Sequence, residues 1–524
     1  MNVCDLLAER AKELPMKTAL VDRQQQVSYG DLEAACAQAA STLLRRGVRS
    51  GDAALILVPL STAFYVTVIA LLRIGAIPVL VDPGQGRAHL ERCCKLIRPR
   101  VFIGSALSHL LLASLPALRQ IPLRFTTSAF LPGSYALFSR GTGSADIAGV
   151  ASHAPALVTF TSGSTGAPKA IARSHGFLLA QHKALQGSLG HAPSEIVLSA
   201  LPVFVLSHLA AGLTCVLPDC DLRQPGSIMP TPVIDQLARY SVSSVEAPPS
   251  LLGQIVVRCL EEDIRLSARR FLVGGAPVFP RLIKQLQTIS PGCEVISVYG
   301  SSEVEPIAHI TGSAISEQDI SAMRDGQGLL VGTPIQSLRL RVVREALETN
   351  AIASISELNR ASLPPGKIGE IVVSGDHVLS EYLHAEDVPS KFRVNEVVWH
   401  RTGDVGSIDD RGRLWLLGRV GSCNDARGKL YPLAMETALS FCPEIQRSAF
   451  FAVEGERILA LQLGSHSQPD LTVFAALFDK MSVDKIWEVA HIPTDKRHNA
   501  KIDYVSLARS PRRKEYKIHE RLFR

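Results

Sequence analysis

Nine residues, Thr161-Ser162-Gly163-Ser164-Thr165-Gly166-Ala167-Pro168-Lys169, gather hydroxyls, glycines and one cation directly after the apolar run Ala156-Leu157-Val158-Thr159-Phe160. An apolar run that breaks into small and hydroxyl residues reads as a strand ending in a tight loop, where backbone N–H groups and hydroxyls converge on an anion. The chemistry on offer is phosphate binding. The spacing is not that of a Walker A loop, because Gly-x-x-x-x-Gly-Lys-Ser/Thr does not fit and Lys169 lies beyond the last glycine. Taken alone, the same nine residues also read as a flexible Ser/Gly surface loop.

Further segments decide between the two: Val273-Gly274-Gly275-Ala276-Pro277, Val298-Tyr299-Gly300-Ser301-Ser302-Glu303, His400-Arg401-Thr402-Gly403-Asp404-Val405-Gly406, Gly418-Arg419 and Asn499-Ala500-Lys501-Ile502. In this order and at these separations they resemble the core motifs of the adenylate-forming superfamily, which contains acyl-CoA synthetases, peptide-synthetase adenylation domains and firefly luciferase. A single Gly-Gly-Ala-Pro is weak, but six motifs in register are specific. The resemblance implies ATP-dependent, AMP-forming activation of a carboxylic acid. A carboxylate attacks the α-phosphorus in line and pyrophosphate leaves, so three phosphates must be held and their charge neutralised.

The resemblance also implies a role for each residue. Thr161, Ser162, Gly163, Ser164, Thr165, Gly166 and Lys169 would hold the β- and γ-phosphates. Glu303 matches the superfamily's magnesium-linked glutamate, and Ser302 stands where a threonine is usual, keeping a hydroxyl for the α-phosphate. Mg2+ would then act as clamp and Lewis acid. Gly274, Gly275 and Ala276 would let adenine lie against backbone, with Tyr299 stacking on the ring and Gly300 and Ser301 in the same nucleotide-binding segment. Asp404 would accept from both ribose hydroxyls beside Arg419. Lys501 would swing into the cleft to bridge the carboxylate and the α-phosphate. Read singly, Lys501 is a solvated lysine near a basic tail, Glu303 a carboxylate after a turn and Asp404 a turn residue.

Two positions depart from the superfamily pattern. Gly421 replaces the aspartate of the Gly-Arg-x-Asp hinge, removing the charge that accompanies the usual domain alternation, and the Gly-Lys pair reads Ala500-Lys501. Together with Arg497-His498-Asn499, Val398-Trp399-His400-Arg401 and Gly412-Arg413-Leu414-Trp415, these look like the branch of olefin-pathway β-lactone synthetases and related fatty-acyl ligases. In that branch a β-hydroxy acid is activated and its own hydroxyl closes on the adenylate. Three readings therefore stand: transfer of a fatty or other apolar acyl group to a CoA or phosphopantetheine carrier thiol, intramolecular closure to a β-lactone, and a non-catalytic nucleotide- and acyl-binding protein on the same fold. Retention of Glu303, Asp404 and Lys501 argues against the third. Ser174-His175 follows the loop as Ser-His often does in the superfamily, while His208 reads equally as a structural residue or a gate to the acyl pocket.

The elements that must position these residues alternate in type. Residues 31–44 and 63–73 read as helices; 54–58, 77–81, 196–198, 244–246, 270–273 and 294–298 read as strands. This order implies right-handed crossovers and a largely parallel sheet, with ligands beyond the carboxyl ends of the strands. The loops at 161–169, 274–277 and 299–303 would then share one cleft. From 329 to 417, alternating strands and turns mark a β-rich subdomain. The expected architecture is α/β: residues 1–418 as a large N-terminal domain of mostly parallel sheets covered by helices, a hinge at 419–421, and a small mobile C-terminal α/β domain at 422–524 carrying Lys501.

Composition narrows the setting. The 524 residues are 46% hydrophobic and 20% charged, an ordinary globular balance, and 55 basic against 49 acidic residues leave a net +6, too little for a nucleic-acid footprint. The basic excess collects between Arg509 and Arg524, read as a solvated tail or as a contact for an acidic carrier or membrane surface. Ten scattered cysteines, without Cys-x-x-Cys spacing or histidines at ligand distance, indicate neither a zinc site nor a disulfide framework and fit a reducing cytoplasm. The charged N-terminus is unlike an export signal. The uncharged stretch 53–72 is long enough to span a membrane, but Pro59 and Ser61-Thr62 divide it into a buried strand and a packed helix. The expected partner is a small-molecule carboxylic acid, with an acyl carrier protein or pathway enzymes as macromolecular options.

Overall fold

A computed structural model describes residues 1–128, 131–138, 143–162, 168–222, 228–345, 352–383, 390–422, 424–464, 469–495 and 501–518. Two large sheets form the body. The first has eight strands and a parallel centre: Ala53–Leu57 lies between Ile77–Leu80 and Val101–Gly104, and Pro155–Ser162 follows beside Ile77–Leu80. Here the uncharged stretch resolves into its two halves. Ser61 caps the helix Thr62–Arg73 by accepting from the Phe64 N–H, and nearly every residue of that helix is buried. No helix among the described residues is long and apolar enough to cross a membrane.

The second sheet has fourteen strands. Its parallel half runs through Thr214–Val216, Ile196–Ser199, Ser244–Ala247, Arg270–Val273 and Glu294–Ser301. Chain reversal at Ser302-Glu303 starts an antiparallel half, because Val304–Thr311 pairs back on Glu294–Ser301. Leu329–Pro334, Leu414–Arg419, Val397–Ile408, Gly369–Ser374 and Arg339–Val343 continue it. The β-rich region is thus hydrogen-bonded into the same sheet, through Ala308 opposite Pro334 and His309 opposite Thr333. A half-buried cluster of Arg413, Asp319, Asp409 and Trp415 pins its last hairpin, with Arg413 donating to both oxygens of Asp319 at 2.9 and 2.7 Å.

After the short 3-10 turn Val420–Ser422 comes a separate four-stranded sheet, Ile445–Val453, Glu456–Leu463, Lys485–Val489 and Arg512–Lys517. It has an apolar core on each face, one around Phe450 and Phe478, the other around Trp487 and Leu507. Leu433 and Phe441 also pack on the core that contains Trp415, and Lys480 donates to the Asp325 carbonyl at 3.1 Å. The basic end of the chain corrects the sequence reading. Arg512–Lys517 is an edge strand rather than a solvated tail, since Tyr516 pairs with Ile486 and Arg512 lies 3.8 Å over the Trp487 ring. The cysteine reading needs a smaller correction: His89 and Cys93, one helical turn apart, approach to 3.4 Å. Two such groups alone make no metal cage, and the described cysteines are free.

Candidate active site

Asp404 sits near the middle of the long strand Val397–Ile408, and three elements converge on its carboxylate. The Tyr299 hydroxyl donates to one oxygen at 2.6 Å and Arg419 donates to the other at 2.9 Å. Gly403 makes the second contact possible, because its φ of +72° is a glycine conformation and a Cβ there would lie 3.1 Å from the guanidinium. Burial and the Asp404 charge push the Tyr299 phenol well up, so it stays a donor. The carboxylate keeps lone pairs beyond these two contacts, which suits it to a neighbouring pair of hydroxyls.

Glu303 lies at the reversal between Glu294–Ser301 and Val304–Thr311. Its carboxylate accepts from the Tyr382 hydroxyl at 2.9 Å, and its carbonyl accepts from Leu379 N–H at 2.8 Å. Burial opposes the Glu303 charge, but the Tyr382 hydroxyl donates to it and the carboxyl stays below its ordinary value, while burial and Lys391 push the neighbouring His400 down to about 3 and leave it a neutral imidazole. An ionised oxygen donor of this kind fits a hard divalent cation. Cations gather around it. Lys391 donates to the Leu379 carbonyl and lies 5.5 Å from the Tyr382 ring, with burial lowering its ammonium to about 7 against the pull of Glu303. Lys169 approaches the same ring at 6.0 Å, and Arg173 donates to the Ser302 carbonyl at 2.8 Å.

These contacts put the expected loops side by side. Thr161 and Ser162 belong to the end of Pro155–Ser162, paired with Lys169 and Pro168 on the return strand, so the glycine segment connects a hairpin. Gly163, Ser164, Thr165 and Gly166 lie outside the described residues. Gly274 packs against the next strand, where an added Cβ would meet the Val298 carbonyl at 3.1 Å, and Gly275 has φ +82°. Ala276 follows in the same bend after Arg270–Val273, and Gly300 and Ser301 close the neighbouring strand. Lys501 is not brought in: it is exposed, and no hydrogen bond or ion pair joins it to Glu303 or Asp404.

Sequence reasoning missed Tyr382, Lys391 and Arg173, because each reaches Glu303 or Ser302 across a strand pairing that no local spacing reveals. It also missed a buried network at the carboxyl end of the parallel strands. Glu246 accepts from His208 at 2.7 Å and from His191 at 3.0 Å, while the other nitrogen of His191 meets Glu195 at 2.5 Å. Three of these groups could in principle hold a metal ion, but each Glu246 oxygen is already taken by a ring nitrogen. His208 is therefore a structural residue. His175 is one too: Ser174 caps the helix His175–Leu189, and buried His175 accepts the Val3 N–H at 3.2 Å. An apolar cavity lies between the first helix and the helix Pro202–Ala210, lined by Leu6, Leu7, Ile69, Leu185, Val203 and Leu206.

Two anionic side chains held ready among lysines and arginines, next to a glycine-bearing bend and a hydroxyl-rich hairpin, define a nucleotide-using α/β enzyme. Residues 7–383 match the AMP-binding enzyme family, and the chain belongs to it. It is an AMP-forming ligase that uses ATP to convert a small carboxylic acid to its acyl adenylate. The chain is 29% identical over 520 residues to the olefin β-lactone synthetase of Xanthomonas campestris pv. campestris, covering 92% of this chain and 90% of the relative. Its fold is that of the amide bond synthetase McbA from Marinactinospora thermotolerans, with TM-score 0.81 and 19% identity over 97% of this chain and 99% of that one. The o-succinylbenzoate coenzyme A synthetase of Bacillus subtilis, solved with ATP and magnesium ion, matches with TM-score 0.74 and 21% identity over 94% of this chain and 98% of that one.

The Glu246 network yields a prediction about stability. Glu246→Ala strips two buried imidazoles of their acceptor and should cost about 3–5 kcal/mol in urea unfolding. The sign of its pH dependence follows from both partners. Burial opposes the Glu246 charge, but His208 and His191 hold its carboxyl far below 4.5; burial likewise opposes a charged His191, but Glu246 and Glu195 hold it above 6.5. The advantage of the unsubstituted protein should therefore be largest between about pH 4.5 and 6.5, shrink as acid protonates Glu246, and shrink as rising pH deprotonates His191. A difference that stays constant from acid to alkaline pH would show that the network carries no linked charge.

Proposed function

We propose that this enzyme, in the cytoplasm, adenylates a β-hydroxy acid with an apolar tail and then closes it to a β-lactone. The observation that carries the reading is the reach of one likeness: the similarity to an olefin β-lactone synthetase runs over 92% of the chain, well past the family match that ends at residue 383. The Arg497 to Ile502 motif supports it from within that later section. The free cysteines among the described residues are in keeping with a reducing compartment.

In this reading residues 1–418 are the adenylation body, 419–421 the hinge and 422–524 the lid. Asp404, fixed by Tyr299 and Arg419, accepts from the ribose hydroxyls while the Tyr299 ring and the backbone of Gly274, Gly275 and Ala276 flank adenine. Thr161 to Gly166 and Lys169 take the β- and γ-phosphates, with Ser302 at the α-phosphate. Glu303 would hold Mg2+, which supplies neutralisation of phosphate charge. A carboxylate oxygen attacks the α-phosphorus and pyrophosphate departs. Lys501, brought in by the lid, balances the charge that develops between carboxylate and α-phosphate. The β-hydroxyl oxygen then attacks the acyl carbon, the bond to AMP breaks, and the hydroxyl proton passes to solvent. No second substrate has to enter, which accords with a hinge that carries Gly421 instead of a charged residue.

Asp404→Ala should weaken ATP binding about ten- to a hundredfold by calorimetry, the equivalent of roughly 1.5–3 kcal/mol for a lost charged hydrogen bond. Unchanged affinity would place the ribose elsewhere. The closing step is tested with a β-hydroxy fatty acid, ATP and Mg2+ and no thiol. Expected are repeated turnovers of AMP and a neutral product lighter than the acid by one water. A single burst of pyrophosphate that becomes continuous only on adding CoA or a phosphopantetheine thiol would replace the lactone reading with an acid–thiol ligase.

A further inference from the structure

Lys501 is exposed and far along the chain from the groups it would serve, so what aims it must lie in its own section. Three backbone contacts form a short zip there. The Asp503 N–H donates to the Pro493 carbonyl at 2.9 Å, Thr494 and Ile502 form an antiparallel bridge, and the Asp495 N–H donates to the Lys501 carbonyl at 2.8 Å. One side chain closes it: the Lys501 N–H donates to Asp495 Oδ1 at 2.8 Å. Lys501 is thereby held on both its N–H and its carbonyl by one residue, six positions away.

The zip is anchored at each end. Ile492 and Leu507 are buried in the same core, and Ile492 N–H donates to Gln462 on the strand Glu456–Leu463 at 2.9 Å. Asp503 caps the helix Tyr504–Ala508 by accepting from Ser506 N–H at 3.0 Å. Buried Glu436, on the helix Pro432–Leu439, accepts from the Tyr504 hydroxyl at 3.0 Å, which ties the helix after Asp503 to the rest of the section. Asp495 Oδ1 thus holds the lysine backbone on an anchored frame.

We infer that Asp495 is the positioning residue for Lys501, an inference that rests on Lys501 acting in adenylate formation. A lysine side chain is long and rotamer-rich, so its ammonium reaches one point reliably only if its Cα is fixed. An aspartate serves because its carboxylate accepts a backbone N–H across a short hairpin without becoming part of the sheet ladder. The Asp495 carboxylate itself touches no reacting atom.

The test compares Asp495→Ala, Asp495→Asn and Lys501→Ala in the full-length enzyme by acid-dependent pyrophosphate release, ATP binding and thermal midpoint. Loss of aim should lower kcat for adenylation of Asp495→Ala about ten- to a hundredfold, with KM for ATP and ATP affinity within about twofold. Asp495→Asn keeps an acceptor oxygen and should recover most of the rate. Adding Asp495→Ala to Lys501→Ala should cost nothing further, because there is then no ammonium to aim. A slow Lys501→Ala beside an Asp495→Ala of ordinary kcat would overturn the positioning role alone. So would an Asparagine variant as slow as the alanine one, or a loss in Asp495→Ala that persists in the Lys501→Ala background. Near-normal adenylation by Lys501→Ala would remove the lysine from the chemistry, and the inference with it.

Discussion

In the proposed site two carboxylates must stay ionised in a cleft that also receives the polyanion ATP, and most of the architecture around Asp404 and Glu303 answers that constraint. Two like charges about 4 Å apart repel by about 4 kcal/mol near a protein surface, so unbalanced acids would exclude the nucleotide. Asp404 is balanced by Arg419 at 2.9 Å, and Glu303 sits beside the Tyr382 hydroxyl and Lys391. Each pairing joins elements distant in sequence. Asp404 ties the end of the parallel half of the sheet to the strand that leads into the C-terminal section, while Tyr382 ties the Glu303 reversal to the strand carrying Lys169.

The family was legible because its motifs are particular residue types in short runs, and short runs survive reading along the chain. The parallel strands at 196–199, 244–247 and 270–273 were legible for a similar reason: each is a short stretch closed by Gly, Pro or Ser. Lys391 and Arg173 were not, since their function depends on which strand lies beside them. Glu246 shows the same limit from the inside of the fold. Within Ser244-Val245-Glu246-Ala247 it looks like a polar residue on a strand, and only His191, in the loop after the helix His175–Leu189, and His208, on the helix Pro202–Ala210, make its burial affordable.

The C-terminal section was misread where a basic run was taken for a free tail. Arg512–Lys517 pairs with Lys485–Val489, Lys514 opposite Glu488, and the Arg512 guanidinium that covers the Trp487 face is packing surface as much as charge. That section has its own cores yet leans on the body through Leu433, Phe441 and Lys480. Such modest, partly polar contacts suit the proposed role of this section as a lid that brings Lys501 to the cleft.

The central claim is that these groups serve one bond-forming event, attack of a carboxylate oxygen on the α-phosphorus of ATP. Oxygen isotope transfer tests it most directly. With an acid carrying 18O in both carboxylate positions, the bond broken when AMP leaves is carbon to oxygen, so AMP should carry one 18O and pyrophosphate none, by mass spectrometry. Unlabelled AMP, or label appearing in pyrophosphate or in inorganic phosphate, would contradict the account.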